Sequence, residues 1–154
     1  MAFFDDSNFY PDSSPGYLVR VIHQMGMAQL DALFAEDGLT AIQWSALVSM
    51  HFGHGGTCAE LARHLAHDKG AMTRMIDTLE ERGWVERQRD DSDRRVVNLS
   101  LTEAGRTIAM RERLKAIACW NGILADWSAE DIAQLIATLT RLRRAMETAP
   151  PCAA

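Results

Sequence analysis

The hydrophobic period changes twice inside Asp68–Leu101 (DKGAMTRMIDTLEERGWVERQRDDSDRRVVNLSL), and no other stretch narrows the fold as much. Met72, Met75, Ile76 and Leu79 fall at i, i+3, i+4 and i+7, one apolar stripe of an amphipathic helix. The other side carries Lys69, Gly70, Thr73, Arg74 and Asp77, all polar or small. Asp68 suits the N-cap, because its carboxylate accepts from the orphan amides of a first turn. Gly83 stops the helix where a left-handed residue costs least. Trp84–Arg87 and Val96–Leu99 then read as two short strands, joined by the polar turn Asp90-Asp91-Ser92-Asp93-Arg94-Arg95. Helix, strand and basic hairpin in that order predict a recognition helix followed by a wing.

Upstream, two capping boxes prepare that helix. Thr40 with Gln43 opens a helix to about Phe52, with Ile42, Trp44, Leu47 and Val48 apolar. After the loop Gly53-His54-Gly55-Gly56, Thr57 with Glu60 opens a shorter one on Leu61, Ala62 and Leu65. The turn Ala66-His67 then leads to Asp68, giving a helix-turn-helix. The first helix starts at Pro15 and stops at Gly38. Leu18, Ile22 and Met25 share one face, and Val19, Leu30, Leu33 and Phe34 spread over others, so it needs more than one burial partner. Past the wing, Thr102 (or Ser100, boxed with Glu103) caps a long helix to about Ala125, with Ile108, Leu114, Ile117, Asn121 and Leu124 on its buried side. Ser128 caps a last helix on which Ile132, Leu135, Ile136, Leu139, Leu142 and Met146 keep helical spacing. The expected fold is mainly α with a small two-stranded antiparallel wing. Residues 1–14 read as a flexible arm, 15–148 as one domain and 149–154 as a disordered tail.

Composition excludes several classes. The 154 residues suffice for a core without metals or disulfides. No apolar run approaches the roughly 20 residues of a membrane span, and the acidic N-terminus lacks the pattern of a secretory signal. Three cysteines, Cys58, Cys119 and Cys152, suit a reducing cytoplasm better than a disulfide framework. The formal charge of −5 is uneven: residues 1–56 hold one basic and six acidic side chains, whereas 57–99 hold eight and nine. A local basic face, not the total, governs phosphate binding. No serine–histidine–aspartate order, phosphate-binding glycine loop or catalytic carboxylate pair stands out, so no enzyme and no cofactor are expected.

Thr73-Arg74, Leu79-Glu80, Arg82-Gly83, Val85-Glu86-Arg87, Asp93-Arg94-Arg95 and Leu101-Thr102-Glu103-Ala104-Gly105 together resemble the winged helix-turn-helix of the MarR (multiple antibiotic resistance regulator) family. The similarity extends upstream to Leu39-Thr40, Gln43-Trp44 and Glu60-Leu61-Ala62, covering roughly residues 15–148. It implies a homodimeric transcription regulator of the cytoplasm, usually a repressor, whose affinity for a double-stranded operator responds to a small molecule or oxidant. Residues 39–101 would bind DNA, and 15–38 with 102–148 would form the dimerisation helices.

Residue roles follow from that reading. Lys69, Gly70, Ala71, Thr73 and Arg74 lie on the first turns of a helix whose N-terminal end faces base edges in the major groove. Arg74 suits guanine, Lys69 a phosphate. Arg94 and Arg95 would enter the minor groove or grip its phosphates. By resemblance, Asp93 holds an arginine in place. His51, His54, His64 and His67 crowd around Cys58, and imidazoles with a thiolate suit zinc. Without a carboxylate to complete the set, the expectation is no metal. Cys58 at a helix start is the candidate oxidant sensor, since the helix dipole favours a thiolate there. Relatives bind aromatic acids and phenols in a cleft between the dimer helices and the winged domain, and its counterparts here would be His23, Met27, Trp44 and His51, with Arg111 or Arg113 adding charge. The rival readings are an oxidant- or metal-sensing regulator of this fold, and a winged helix that contacts only protein.

Overall fold

The computed structural model describes residues 3–150. Cys152 and residues 151–154 of the expected tail lie outside them. Six helices and one hairpin follow in the order α1 (Pro15–Phe34), α2 (Ala41–His51), α3 (Cys58–His64), α4 (Lys69–Glu81), β1 (Val85–Arg89), β2 (Val97–Leu101), α5 (Glu103–Ile123) and α6 (Ala129–Thr148). Short 3-10 turns precede and follow α1, at Pro11–Ser13 and Ala35–Asp37, so the N-terminal arm carries one turn of regular structure. The chain divides after Ile117, inside α5, into two compact units.

Each boundary has a local cause. Ser14 caps α1, and Gly38, at φ +61°, turns the chain out of the 3-10 turn behind it. Both capping boxes form: Thr40 and Thr57 accept from the amides of Gln43 and Glu60, whose side chains return to the cap amides at 3.0 and 3.1 Å. Asp68 caps α4 through the Ala71 amide at 2.8 Å. Gly83, at φ +69°, releases the chain into β1. The strands pair antiparallel from Val85 opposite Leu101 to Arg89 opposite Val97, and a bridge from Thr57 to Asn98 attaches the α2–α3 loop to β2. β1 thus runs two residues beyond the expected strand, because Gln88 and Arg89 pair without adding any apolar signal. Thr102, not Ser100, caps α5: its hydroxyl accepts from the Gly105 amide at 3.0 Å, while Ser100 donates to Glu86.

The core of the first unit gathers Leu30 and Phe34 of α1, Ala46 and Leu47 of α2, Leu61 and Ala62 of α3, and Met72, Ile76 and Leu79 of α4. The hairpin adds Val85, Leu99 and Leu101, and α5 adds Ile108, Ala109 and Ala116. Within the single chain, the buried side of α5 shares Ile108 with the expected one. Gly105, Ile108, Ala109, Glu112 and Ala116 face inward, while Leu114 is 65% exposed and Ile117 40%. Close approach of α5 selects small side chains, and the one buried carboxylate among the described residues is paired. Glu112 Oε1 accepts from Arg111 Nε at 2.9 Å, and Lys115 Nζ lies 2.8 Å from Oε2, off the hydrogen-bonding direction. Asp37 also binds Arg111 and Lys115, which ties the turn after α1 to α5. The Lys115 ammonium first, and the Arg111 charge next, hold the Asp37 carboxyl below its ordinary range against the opposing cost of burial.

Leu18, Ile22 and Met25 on α1 are exposed. So are Leu135, Ile136, Leu139 and Met146 on α6, which has no buried residue.

Candidate nucleic-acid interface

α4 buries Met72, Ile76 and Leu79 and turns Lys69, Gly70, Thr73 and Arg74 to solvent, with Ala71 half-buried. The Asp68 carboxyl is held below its usual range, first by the Ala71 amide, then by the Gly70 amide and the nearby Arg74 and His67 charges, against desolvation. Arg74 leans back along the helix. A β-carbon at Gly70 would stand 3.7 Å from its Nη1 and 3.3 Å from the Asp68 carboxylate, so glycine keeps this turn open. The Thr73 hydroxyl donates to the Lys69 carbonyl at 3.0 Å and lies 3.5 Å from Cys58 Sγ. Cys58 is therefore half-buried between α3 and the recognition helix.

Asp90, which the sequence places at the start of the wing turn, organises the wing. Its Oδ1 accepts from the amides of Ser92 and Asp93 at 2.9 and 3.1 Å and from the Ser92 hydroxyl, and its Oδ2 accepts from Asn98 at 3.1 Å. These bonds, led by the Ser92 hydroxyl, hold the carboxyl far below the ordinary aspartate value of 3.8. An Asp with Ser two positions on is an Asx-turn signal, so this role was readable. Asp93 accepts from the Arg95 amide at 3.0 Å and from its Nε and Nη2 at 3.1 and 3.2 Å, which fixes the guanidinium of Arg95. Arg94 and Lys69 are exposed and have no salt bridge among the described residues. Arg89, on the extended part of β1, adds an exposed cation that the sequence reading left out.

One brace joins helix and wing, and another ties the end of α4 to the turn after α1. Arg87 on β1 reaches Asp77 at 2.6 Å and Glu80 at 2.5 Å, both on α4. At the far end of α4, Arg82 donates to the Gly38 carbonyl at 2.6 Å and lies over the Trp84 ring. The spacing of these partners in sequence gave no hint of either contact.

The Asp90 staple predicts an acid response of the wing. Its folded pKa is depressed, so its contribution is complete above 3.8 and fades as pH falls from there through the folded value. The amide shifts of Ser92 and Asp93, followed by NMR, are expected to titrate with a midpoint well below 3.8. A midpoint at the ordinary value would show that the staple does not form.

Of the other sequence candidates, Trp44 and Arg111 have partners inside the fold. Trp44 is half-buried, its indole donating to the Ala109 carbonyl at 3.1 Å and its ring 5.3 Å from Phe34. Met27 packs on the same core, and Arg111 is engaged by Asp37 and Glu112. His23 is exposed on α1 and His51 at the end of α2. Arg113 lies over Phe52 at 5.9 Å. His54 stacks flat on His64, with centroids 4.4 Å apart. Among the described residues no three of the histidines, cysteines and carboxylates converge as metal ligands, and no helix is long and apolar enough to cross a membrane.

Known proteins share this arrangement. Residues 39–97 match the MarR family model. The multiple antibiotic resistance protein MarR of Escherichia coli is 36% identical over 93 residues, which are 60% of this chain and 65% of that protein. An uncharacterised HTH-type transcriptional regulator of Bacillus subtilis, YdcH, is 33% identical over 99 residues, 62% of this chain and 67% of its own length. The sequence match to E. coli MarR thus spans slightly less than two thirds of that relative. A crystal structure of an E. coli MarR mutant complexed with operator DNA superposes with a TM-score of 0.74 and 30% identity, covering 82% of this chain and 91% of that one. With its helices, its wing and its sequence all in agreement, the chain belongs to the MarR family of winged helix-turn-helix regulators.

Proposed function

We propose that the chain is a sequence-specific, double-stranded-DNA-binding transcription regulator that acts as a cytoplasmic homodimer. The observation that carries this is the joint exposure of Lys69, Arg74, Arg94 and Arg95 on a recognition helix and wing braced to each other through Arg87. The N-terminal turns of α4 would enter the major groove, with Gly70 and Ala71 allowing close approach, while Arg94 and Arg95 reach the minor groove. Operator DNA in the E. coli MarR mutant structure supports the same partner here. The open apolar residues of α1 and α6 support a second copy as their cover. Occupying promoter DNA makes repression the expected outcome. A small aromatic acid or phenol would release the DNA by favouring a spacing of the two recognition helices that misfits successive grooves. Equal affinity for both spacings would shift nothing.

A gel shift on the DNA upstream of the chain's own gene, with sedimentation in parallel, tests this. Saturable binding by a dimer, weakened steeply by salt, is the expected result. Absence of binding at low salt would leave a winged helix that contacts only protein. Within that assay, Arg74→Ala is expected to relax base preference at one base pair per half-site, costing roughly 1–3 kcal/mol there. An even loss across all sequences would make Arg74 a phosphate contact instead.

A further inference from the structure

Arg82, at the C-cap of α4, is an exposed cation that the groove contacts proposed above leave unused. Its Nη1 donates to the Gly38 carbonyl, and its Cζ lies 5.0 Å from the Trp84 ring centroid. A β-carbon at Gly38 would stand 3.5, 3.6 and 3.9 Å from Nη1, Nη2 and Cζ, so the guanidinium lies against the space that glycine leaves. The residue before it is held as well: Asp37 takes Arg111 and Lys115 of α5. Two consecutive residues of the turn after α1 therefore receive the end of the recognition helix and the middle of α5. The place of Arg82 on its helix gives the contact leverage. Arg87 grips α4 at Asp77 and Glu80, close to Arg82 and far from Lys69. At a rise of 1.5 Å per residue, that grip lies roughly 5 Å from Arg82 and roughly 14 Å from Lys69. A swing about it moves the N-terminal end of α4 roughly three times as far as the end that Arg82 holds. Met72, Ile76 and Leu79 press α4 onto the core, but apolar contacts are non-directional, whereas a hydrogen bond to one carbonyl is aimed.

We propose that Arg82 is a positioning residue for DNA recognition: its hold on Gly38 fixes the angle of α4 against α1 and so the separation of half-sites that the protein accepts. α1 carries the exposed Leu18, Ile22 and Met25, the side assigned above to the second copy, so an angle fixed against α1 is fixed against the dimer. A spacer longer or shorter by one base pair moves the half-sites by about 3.4 Å and turns one against the other by about 35°. Two stiffly held recognition helices reject such a spacer, and two loosely held ones follow it. The spacing role rests on the dimeric DNA-binding function proposed above; the hold on α4 does not.

The test compares the full-length chain with its Arg82→Ala and Arg82→Met variants. Each is titrated with the operator upstream of its own gene, with that operator lengthened or shortened by one base pair between half-sites, and with a single half-site. The unmodified chain is expected to prefer the native spacer about tenfold or more. Arg82→Ala should bring that ratio to about threefold or less while half-site affinity stays within a factor of about two. Arg82→Met keeps an apolar stem beside Trp84 and loses the donor and the charge, and it should behave as alanine does. Without DNA, ¹⁵N relaxation dispersion over residues 69–81 should show microsecond-to-millisecond exchange in both variants that the unmodified chain lacks. A native ratio in either variant would overturn the spacing role, and so would an affinity loss spread evenly over every spacer and the half-site. Equal dispersion in all three proteins would overturn the hold on α4 and the whole proposal with it. If the unmodified chain binds no operator, the function proposed above fails and the spacing role falls with it, while dispersion still decides whether Arg82 fixes α4.

Discussion

Gly105→Ala is expected to destabilise the chain by about 3 kcal/mol, the upper end of what overpacking usually costs. A β-carbon at Gly105 would stand 1.9 Å from the Trp84 carbonyl oxygen and 2.8 Å from its carbon, both rigid backbone atoms. That oxygen accepts from the Thr102 amide at 3.1 Å, and the Thr102 hydroxyl donates to Gly83 while capping α5. Moving Trp84 to make room therefore loosens the start of β1 and the cap of α5 together. In a chain of this size the melting temperature should fall by roughly 6–12 °C. Gly122→Ala on the same helix is the matched control, because nothing lies within 4 Å of its added β-carbon. There the better helix propensity of alanine predicts a neutral or slightly stabilising change, up to about 1 kcal/mol. Equal melting temperatures for the two variants would show that the approach of α5 to Trp84 is not tight in solution.

Arg94→Ala is expected to reduce operator affinity about tenfold or more while leaving the dimer and its melting temperature intact. Arg94 is exposed at the wing and has no salt bridge among the described residues, so its removal breaks no ion pair there. If its contact is with phosphate, the salt dependence of binding should shallow by about 0.9 in log–log slope per lost contact, once for each half-site. Arg95→Ala serves as comparison, since Asp93 already compensates part of that charge. An unchanged affinity for Arg94→Ala, with sedimentation showing an intact dimer, would remove the wing tip from DNA binding.

The switch of period at Gly83 was legible because helix and strand leave different apolar spacings, and glycine marks the break. The stripe Met72, Met75, Ile76 and Leu79 became the packed side of α4 for the same reason. Both capping boxes were legible because their chemistry is local, contained in four residues. What escaped was non-local or carried by small residues. The inward side of α5 is Gly105, Ala109, Glu112 and Ala116 around one isoleucine, and of these only Ile108 carries a strong hydrophobic signal. Trp44 is an effector candidate because it shares one side of α2 with His51, seven residues on. Its indole hydrogen bond to Ala109 crosses 65 positions of sequence, which no periodicity encodes. The charge on Arg111 looked available until Asp37, on the turn after α1, was placed beside it.

The Arg87 brace bears on how so acidic a chain can approach DNA. Asp77 and Glu80 stand on the same helix as Lys69 and Arg74, the cations proposed to meet the DNA. Both carboxylates are turned onto one guanidinium, which cancels about half of their charge and draws their field toward the hairpin. Arg87 thus acts as electrostatic insulation, shielding the groove-facing end of α4 from its own acidic residues. On this account Arg87 needs no contact with DNA to matter to it, and a neutral residue in its place would leave two bare anions beside the polyanion.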